Sequence, residues 1–248
     1  MIFLTSQSPP PVWTFWLGLM YNVNRMIRKE VLANENYYHI YSRSIAKYIV
    51  FNNDEEFSRI LEILNLYRYA NFNYKYSKYK NLDPATQKEV EKNLLKDNDF
   101  LVEIVAYCIM PTHFHLILKQ SSSCGISKYI AKVLNSYSKY FNTKHQRTGP
   151  LWVSRFKSVL VDKDEQLLHL TRYIHLNPTS AGLVKNPRDW LYSSYLEYID
   201  KEYQNRICSF SALFDLSKKE YQKFVLDRKS YQQQLSQIKS LIVDDYTS

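Results

Sequence analysis

The chain has 248 residues, with 33 Lys and Arg against 24 Asp and Glu for a net charge of +9. That is enough for one domain of ordinary size plus appendages. Its three cysteines, Cys108, Cys124 and Cys208, lack metal-site spacing and imply no disulfide framework, which fits a reducing cytoplasm, and no segment is long and apolar enough to span a membrane.

The first 25 residues stand apart. Pro11 to Met20 is hydrophobic but has no basic region before it, so a signal peptide is not expected. Residues 1–25 are expected to be a disordered leader or a mis-assigned start, outside the fold. Tyr37 to Arg43, rich in Tyr and Ile, reads as a strand. Asp54 to Ala70 reads as a helix capped by Asn53 or Asp54, with Phe57, Ile60, Leu61 and Leu64 on one stripe. Between Asn71 and Asp99 lies a Tyr- and Lys-rich stretch holding a short helix from Asp83-Pro84, the Asp capping and the Pro at the first helical position. Phe100 to Met110 and His113 to Lys119 are two strands joined by a Pro-containing turn.

The second of these strands carries the first chemical signal. Successive strand side chains point to opposite faces, so His113 and His115 share a face with Ile117 and Lys119, while Phe114, Leu116 and Leu118 face a core. Two imidazoles about 7 Å apart on one strand face can chelate a divalent cation. They can equally be a pair of core-edge histidines, and a third ligand is needed to decide.

Gly125 then precedes an amphipathic helix with Ile126, Ile130, Val133, Leu134, Tyr137 and Phe141 on its apolar side and Lys128, Lys132 and Lys139 opposite. From Ile104 to Val161 there is no Asp or Glu, against eight Lys and Arg, which include Lys119, Lys144, Arg147, Arg155 and Lys157. Nearly the whole charge surplus therefore lies in the segment that holds the histidines. Interleaved with Tyr129, Tyr137, Tyr140, Phe141 and Trp152, it suits a surface that tracks phosphates and stacks bases, although a solvated basic face would have the same composition.

Arg155 to Val161 reads as a fourth strand. The stretch from Asp164 to Asn177 is helical by the spacing of Leu167, Leu168, Leu170 and Ile174, and Pro178 should end it near Asn177. Tyr173 and Asn177, at i and i+4, lie on one helix face, with His175 pointing almost the opposite way. A Tyr hydroxyl beside a metal-held phosphate is a covalent nucleophile, and an Asn amide oxygen is a hard ligand. An aromatic that packs and an Asn that caps are the commoner uses of such residues. Ser209 to Val225 reads as a further helix, followed by a polar, Gln-rich end.

The element order is β-α-β-β-α-β with an extra helix, an α+β fold of ferredoxin-like antiparallel topology with a C-terminal nucleophile helix and helical tail. In it the first and third strands are central neighbours. That would set His39 beside the histidine strand, either as a packed core residue or as support for the pair or a DNA contact.

Several segments occur in an order that resembles a known family: Tyr107-Cys-Ile-Met-Pro-Thr-His-Phe-His115, Tyr140-Phe-Asn142, Arg147-Thr-Gly-Pro-Leu-Trp152, Arg155-Phe-Lys-Ser158 and Arg172-Tyr-Ile-His-Leu-Asn-Pro178. Together with Tyr38 to Arg43 and Trp190 to Tyr195, they resemble the single-tyrosine HUH transposases of the IS200-like family, most closely the REP-associated tyrosine transposases. The resemblance runs from about Met26, where Arg28-Lys29-Glu30 looks like a usual start, to Val225. It implies a transposase domain over residues 26–200 and a helical appendage over 201–248. It further implies that His113, His115 and Asn177 hold Mg²⁺ or Mn²⁺ and that Tyr173 is the nucleophile. Ser42 and Thr112 depart from the family, which often has Asn at both places; neither is a ligand.

The implied activity is metal-dependent nicking and strand transfer of single-stranded DNA through a 5′-phosphotyrosine, on hairpin-forming repeats. Lys128, Lys132, Lys139, Arg147, Arg155, Lys157 and Arg43 are the expected DNA contacts. The protein would be bacterial, cytoplasmic and nucleoid-associated, away from membranes, and a monomer or homodimer. The alternative is a non-catalytic single-strand DNA or RNA binder of the same fold.

Overall fold

A computed structural model describes residues 31–204, 206–210 and 215–227. The sheet and its helices all belong to the unit Leu32–Ser248. The leader expected over residues 1–25 and the Gln-rich end lie outside the described residues.

Strand β1 (Tyr37–Arg43) leads through a short 3₁₀ turn to helix α1 (Asp54–Tyr67), whose first turn is closed by Asn53 Oδ1 accepting the Glu56 N–H at 3.1 Å. The helix stops short of Ala70 because Tyr69 leaves it to bridge Phe100 across a short antiparallel contact. A one-turn helix, α2 (Tyr76–Tyr79), has no counterpart among the expected elements. Helix α3 (Pro84–Asp97) starts where Asp83-Pro84 predicts, with the Asp83 carboxylate accepting the Ala85 and Thr86 N–H groups. Strands β2 (Val102–Met110) and β3 (His113–Gln120) form a hairpin, and helix α4 (Gly125–Lys144) crosses back. Strand β4 (Lys157–Val161) begins two residues later than expected, because Val153 N–H is already taken by the Arg43 carbonyl and Trp152 bridges Ser44. Helices α5 (Asp164–Ser180), α6 (Tyr195–Ile199) and α7 (Lys218–Leu226) complete the described chain.

The four strands lie in the order β2-β3-β1-β4, every neighbour antiparallel. This is the split βαβ order, with β1 and β3 in the centre. Helices α1 and α4 cover one face, where Phe57, Ile60, Leu64, Ile126, Ile130 and Val133 pack on Ile40, Leu116 and Leu118. The other face is covered by α5, α6 and α7, with Leu170, Ile174, Tyr198, Tyr221 and Val225 over Ala106, Cys108, Met110 and Ile117. Each such aliphatic side chain contributes about 1.5–3 kcal/mol on burial. Because both faces are dry, β2 reads as an unbroken apolar run, Ile104-Val-Ala-Tyr-Cys-Ile-Met110, and not as an alternating one.

Helix α5 corrects one expectation. It does not end at Asn177 but runs through Pro178 to Ser180. The proline removes a single donor, while Ala181 N–H still closes on Asn177 O and Leu183 N–H on Pro178 O. Burial of both helix faces over residues 169–178 outweighs that local loss. Among the described residues no helix is long and apolar enough to cross a membrane.

Gly125 opens α4 where the chain turns against the Leu101 carbonyl oxygen, which also accepts the Ser121 and Ser122 N–H groups. A Cβ at 125 would collide with that backbone oxygen. Alanine favours helix by about 1 kcal/mol over glycine, but backbone overpacking costs about 1–3 kcal/mol and should win. Gly125→Ala is therefore expected to lower the urea midpoint with an unchanged m-value, and a higher midpoint would contradict the close approach.

Candidate active site

The register of β1 on β3 decides which side chains meet. Arg43 pairs with His113, Tyr41 with His115 and His39 with Ile117. Directly paired residues share a sheet face, so β1 delivers His39, Tyr41 and Arg43 to the face of the two β3 histidines. The His113 and His115 ring centroids are 5.1 Å apart at 88°. Tyr41 packs against both, at 5.8 Å and 5.0 Å.

Each histidine has a ring nitrogen engaged. His115 Nδ1 is 3.0 Å from His39 Nε2, and His113 Nδ1 is 2.9 Å from Thr112 Oγ1. Such partners fix ring orientation, the usual support of a metal-binding imidazole. Burial pushes His113 down to about 4, with Arg43 pressing the same way. Burial, then His39 and His113, push His115 well below its ordinary value. Both rings are therefore neutral at pH 7, the form that coordinates a cation.

Helix α5 sets Tyr173 over this pair. Its ring meets His115 edge-on, 5.9 Å between centroids at 87°. The Tyr173 hydroxyl and the Asn177 amide nitrogen are both buried with no hydrogen-bond partner among the described residues. A buried polar group left in that state costs about 1–3 kcal/mol, which a polar ligand on this face of α5 would recover. Asn177 lies one turn beyond Tyr173 on the same face. Among the described residues no group of three or more His, Cys, Asp and Glu could hold a metal. A set of two imidazoles and an amide oxygen fits the donors present, and suits a borderline or hard divalent cation.

His175 turns away as the helical spacing requires. Its Nδ1 is 2.7 Å from Tyr221 Oη and its Nε2 2.8 Å from Ser194 Oγ, which in turn accepts the Tyr107 N–H. It fastens α5 to α7 and to the edge of β2.

The other expected contact residues divide between the two faces. Arg43 and Lys157, which pairs with Tyr41, lie on the histidine face, and Arg155 is exposed just before β4. Arg147 is held in the 142–150 turn by Asn142 Oδ1 and the Pro150 carbonyl. Lys128, Lys132 and Lys139 lie on α4, across the sheet from Tyr173.

The expected base-stacking aromatics are corrected more sharply. Tyr129, Tyr137, Phe141 and Trp152 are core residues. The Tyr129 and Tyr137 hydroxyls donate to the Leu64 and Val50 carbonyls, and the Trp152 indole N–H donates to Ser138 Oγ. They sit on the apolar side of α4 or beneath it, where burying a ring outweighs displaying it once the polar end finds a partner. Tyr41 is a site residue absent from the sequence-based set, although strand alternation between His39 and Arg43 points to it.

The fold and site define an α+β domain in which a helix-borne tyrosine faces a strand-borne pair of neutral histidines. Residues 63–177, which include His113, His115, Tyr173 and Asn177, match the family described as Transposase IS200 like, and the resemblance drawn from the motifs is borne out. A curated protein of Haemophilus influenzae, described as a REP-associated tyrosine transposase, is 30% identical over 103 residues, covering 38% of this chain and 58% of that protein. The chain thus spans less than two thirds of the length of the curated relative it matches. Among solved structures, a REP-associated tyrosine transposase bound to a REP hairpin is similar at 16% identity and a TM-score of 0.46, over 77% of this chain and 97% of that one. The tRNA(His) guanylyltransferase of Saccharomyces cerevisiae is similar at 11% identity and a TM-score of 0.33, over 92% and 87%.

Burial also pushes His175 down to about 3, against about 6.5 in an unfolded chain. Between those values the unfolded state binds the additional proton, so stability is complete above pH 6.5 and falls as the pH drops toward 3. The urea midpoint should decline from pH 7.5 to pH 5. In His175→Phe the midpoint should be lower at pH 7.5 and its decline shallower; an identical decline would mean that His175 does not titrate on unfolding.

Proposed function

We propose that this protein nicks and rejoins single-stranded DNA, with Tyr173 as the nucleophile and a 5′-phosphotyrosine as the covalent intermediate. The observation that carries this reading is the Tyr173 hydroxyl, buried and without a hydrogen-bond partner among the described residues, on the helix face turned toward His115. His113, His115 and Asn177 would hold the cation, Mg²⁺ or Mn²⁺. When bound, it would supply Lewis-acid polarisation of the scissile phosphate.

The chain's own residues do the rest. Arg43, beside His113 in register, and Lys157, across β1 from it, offer positive charge to the phosphate oxygens at the site's edge. His39 holds the His115 ring in position. Packing against His115 restricts the Tyr173 ring, so little orientation entropy remains to be lost on attack. Tyr173 Oη forms a bond to phosphorus while the bond from phosphorus to the 3′ oxygen breaks. The phenolic proton leaves to solvent and the departing oxygen is protonated as a free 3′-OH. Attack by a 3′-OH on the phosphotyrosine runs the step backward, so one phosphodiester is exchanged for another and no external energy source is consumed.

The resemblance to REP-associated transposases makes hairpin-forming repeats with a flanking single strand the proposed substrate, in a bacterial, cytoplasmic and nucleoid-associated setting. A protein that only bound DNA would have no use for a buried, unpartnered tyrosine hydroxyl beside a neutral imidazole.

With Mg²⁺ or Mn²⁺ and a hairpin repeat labelled 3′ of the cut, a protein–DNA adduct should survive denaturing gels. Tyr173→Phe removes the nucleophilic oxygen and keeps the ring, so the adduct should vanish while binding persists. An adduct that persists in Tyr173→Phe would transfer the role to another tyrosine. An absence of any adduct, with binding intact, would favour the binding-only alternative.

His39 is expected to act through His115. His39→Phe should weaken Mn²⁺ binding about 10- to 100-fold, the usual cost of losing the partner of a metal-holding histidine. Calorimetric titration with Mn²⁺ would check this, and an unchanged affinity would reduce His39 to a packing residue.

A further inference from the structure

Across the sheet from Tyr173, helices α1 and α4 and the segment from Phe72 to Ser77 enclose an open groove of about 780 Å³. That size lies within the roughly 300–1,000 Å³ of small-ligand clefts and has room for a nucleotide or two. Its lining includes Arg59, Lys75, Lys132, Lys139 and Lys144 and no Asp or Glu. Lys144 is neutralised by Glu55 at 2.8 Å and Glu56 at 3.4 Å. Among the described residues Lys75, Lys132 and Lys139 have no ion-pair partner.

Arg59 is the most telling member. Its guanidinium is stacked on the Tyr76 ring at 4.2 Å and the Tyr140 ring at 4.5 Å. Its Nε is buried and has no hydrogen-bond partner among the described residues. The nearest carboxylates are already committed, Glu55 to Lys144 and Glu62 to Lys80 at 3.2 Å. A guanidinium held flat by aromatic stacking and lining the groove is prepared for the oxygens of a phosphate. Burial and the neighbouring Lys128 already press the Lys132 ammonium below its ordinary value, a crowding of cations that an anion relieves. At the rim Tyr74 leaves 41% of its surface exposed, tilted on Phe72.

We propose that this groove is a second binding site for single-stranded DNA, holding phosphates of the strand that lie outside the Tyr173 site, with a base stacked on Tyr74. Cations alone would suit any polyanion. The exposed ring beside them is what selects a nucleic acid, and an unpaired one, since bases inside a duplex are not available to stack on a side chain. Lys132 and Lys139 stand seven residues apart on α4, about 10 Å along the helix axis, so the groove follows a length of backbone and does not cup a single ion.

The proposal takes its ligand from the single-stranded substrate proposed above, but not from the tyrosine chemistry, and the full-length protein tests the two separately. Lysine acetylation would be mapped with and without a saturating short oligothymidylate. Lys75, Lys132 and Lys139 should be protected severalfold, while Lys88 and Lys92 on α3 remain as reactive as before. Equal reactivity at all five lysines with the oligonucleotide bound would overturn the groove. In Lys132→Glu/Lys139→Glu, affinity should fall at least about tenfold, and the log–log salt slope should flatten by about 1.4, at 0.7 per phosphate contact. Tyr74→Ala should weaken oligothymidylate binding about tenfold, given the usual strength of base–aromatic stacking. Protection by inorganic polyphosphate as strong as by DNA, with no effect of Tyr74→Ala, would overturn the nucleic-acid occupant. A Tyr173 adduct with the groove unprotected would sink this proposal alone; protection without an adduct would sink the nucleophile alone.

Discussion

The antiparallel pairing of β1 with β3 is the contact on which the candidate site depends. Side-chain direction along a strand has a period of two, so a slip of one residue would send His113 and His115 into the α1–α4 core and turn Phe114 and Leu116 toward α5. Several interactions resist that slip. His39 Nε2 meets His115 Nδ1 at 3.0 Å only in the observed register, and Tyr41 packs on both rings. On the opposite face Ile40, Leu116 and Leu118 are committed to the core. The same pairing thus aligns a hydrophobic core on one side and orients the imidazoles on the other.

A sheet buried on both faces also sets the electrostatics. His115 is fully buried, and the cost of charging it there, with His39 and His113 pressing the same way, keeps the ring neutral. The helix that dries the site is also the one that carries Tyr173. Rotation of α5 about its axis would move Tyr173 away from His115, and His175 opposes that rotation from the other side through Tyr221 and Ser194. Tyr173 and His175, two residues apart, therefore divide the labour: one faces His115, the other holds the helix. The unsatisfied Tyr173 hydroxyl and Asn177 amide carry a cost that a purely structural helix would have avoided.

How much of the molecule is legible in its sequence depends on how local each signal is. Strands β1 to β4, the caps at Asn53 and Asp83, the apolar stripe of α4 and the opposition of Tyr173 to His175 depend on periodicity and on neighbours within a turn, and all are found. Pro178 misleads because its local preference is real but small beside the burial of α5. Tyr129, Tyr137, Phe141 and Trp152 mislead for a different reason. An aromatic within a basic segment has the same composition whether it faces the core or a ligand, and only the fold tells which. The α4 lysines group with the histidines because they are close in sequence, yet the sheet stands between them. The groove around Arg59 is illegible, because α1, the 72–77 segment and α4 contribute to it from distant parts of the chain.

That separation has a physical rationale. Neutral, metal-ready imidazoles and a dense field of ammonium groups are poor neighbours, because each added cation lowers imidazole basicity further and repels the ion the imidazoles would bind. Arg43 already has this effect on His113. Setting Lys128, Lys132 and Lys139 on the far side of the sheet keeps their charge available to a long polyanion while a packed layer separates it from the histidines. A strand of DNA is long enough to reach both faces; a metal ion is not. The uneven charge of the sequence, with no carboxylate from Ile104 to Val161, therefore resolves in three dimensions onto two faces of the sheet. One face sets two neutral imidazoles beneath α5, and the other gathers Arg59, Lys132 and Lys139 around an open groove.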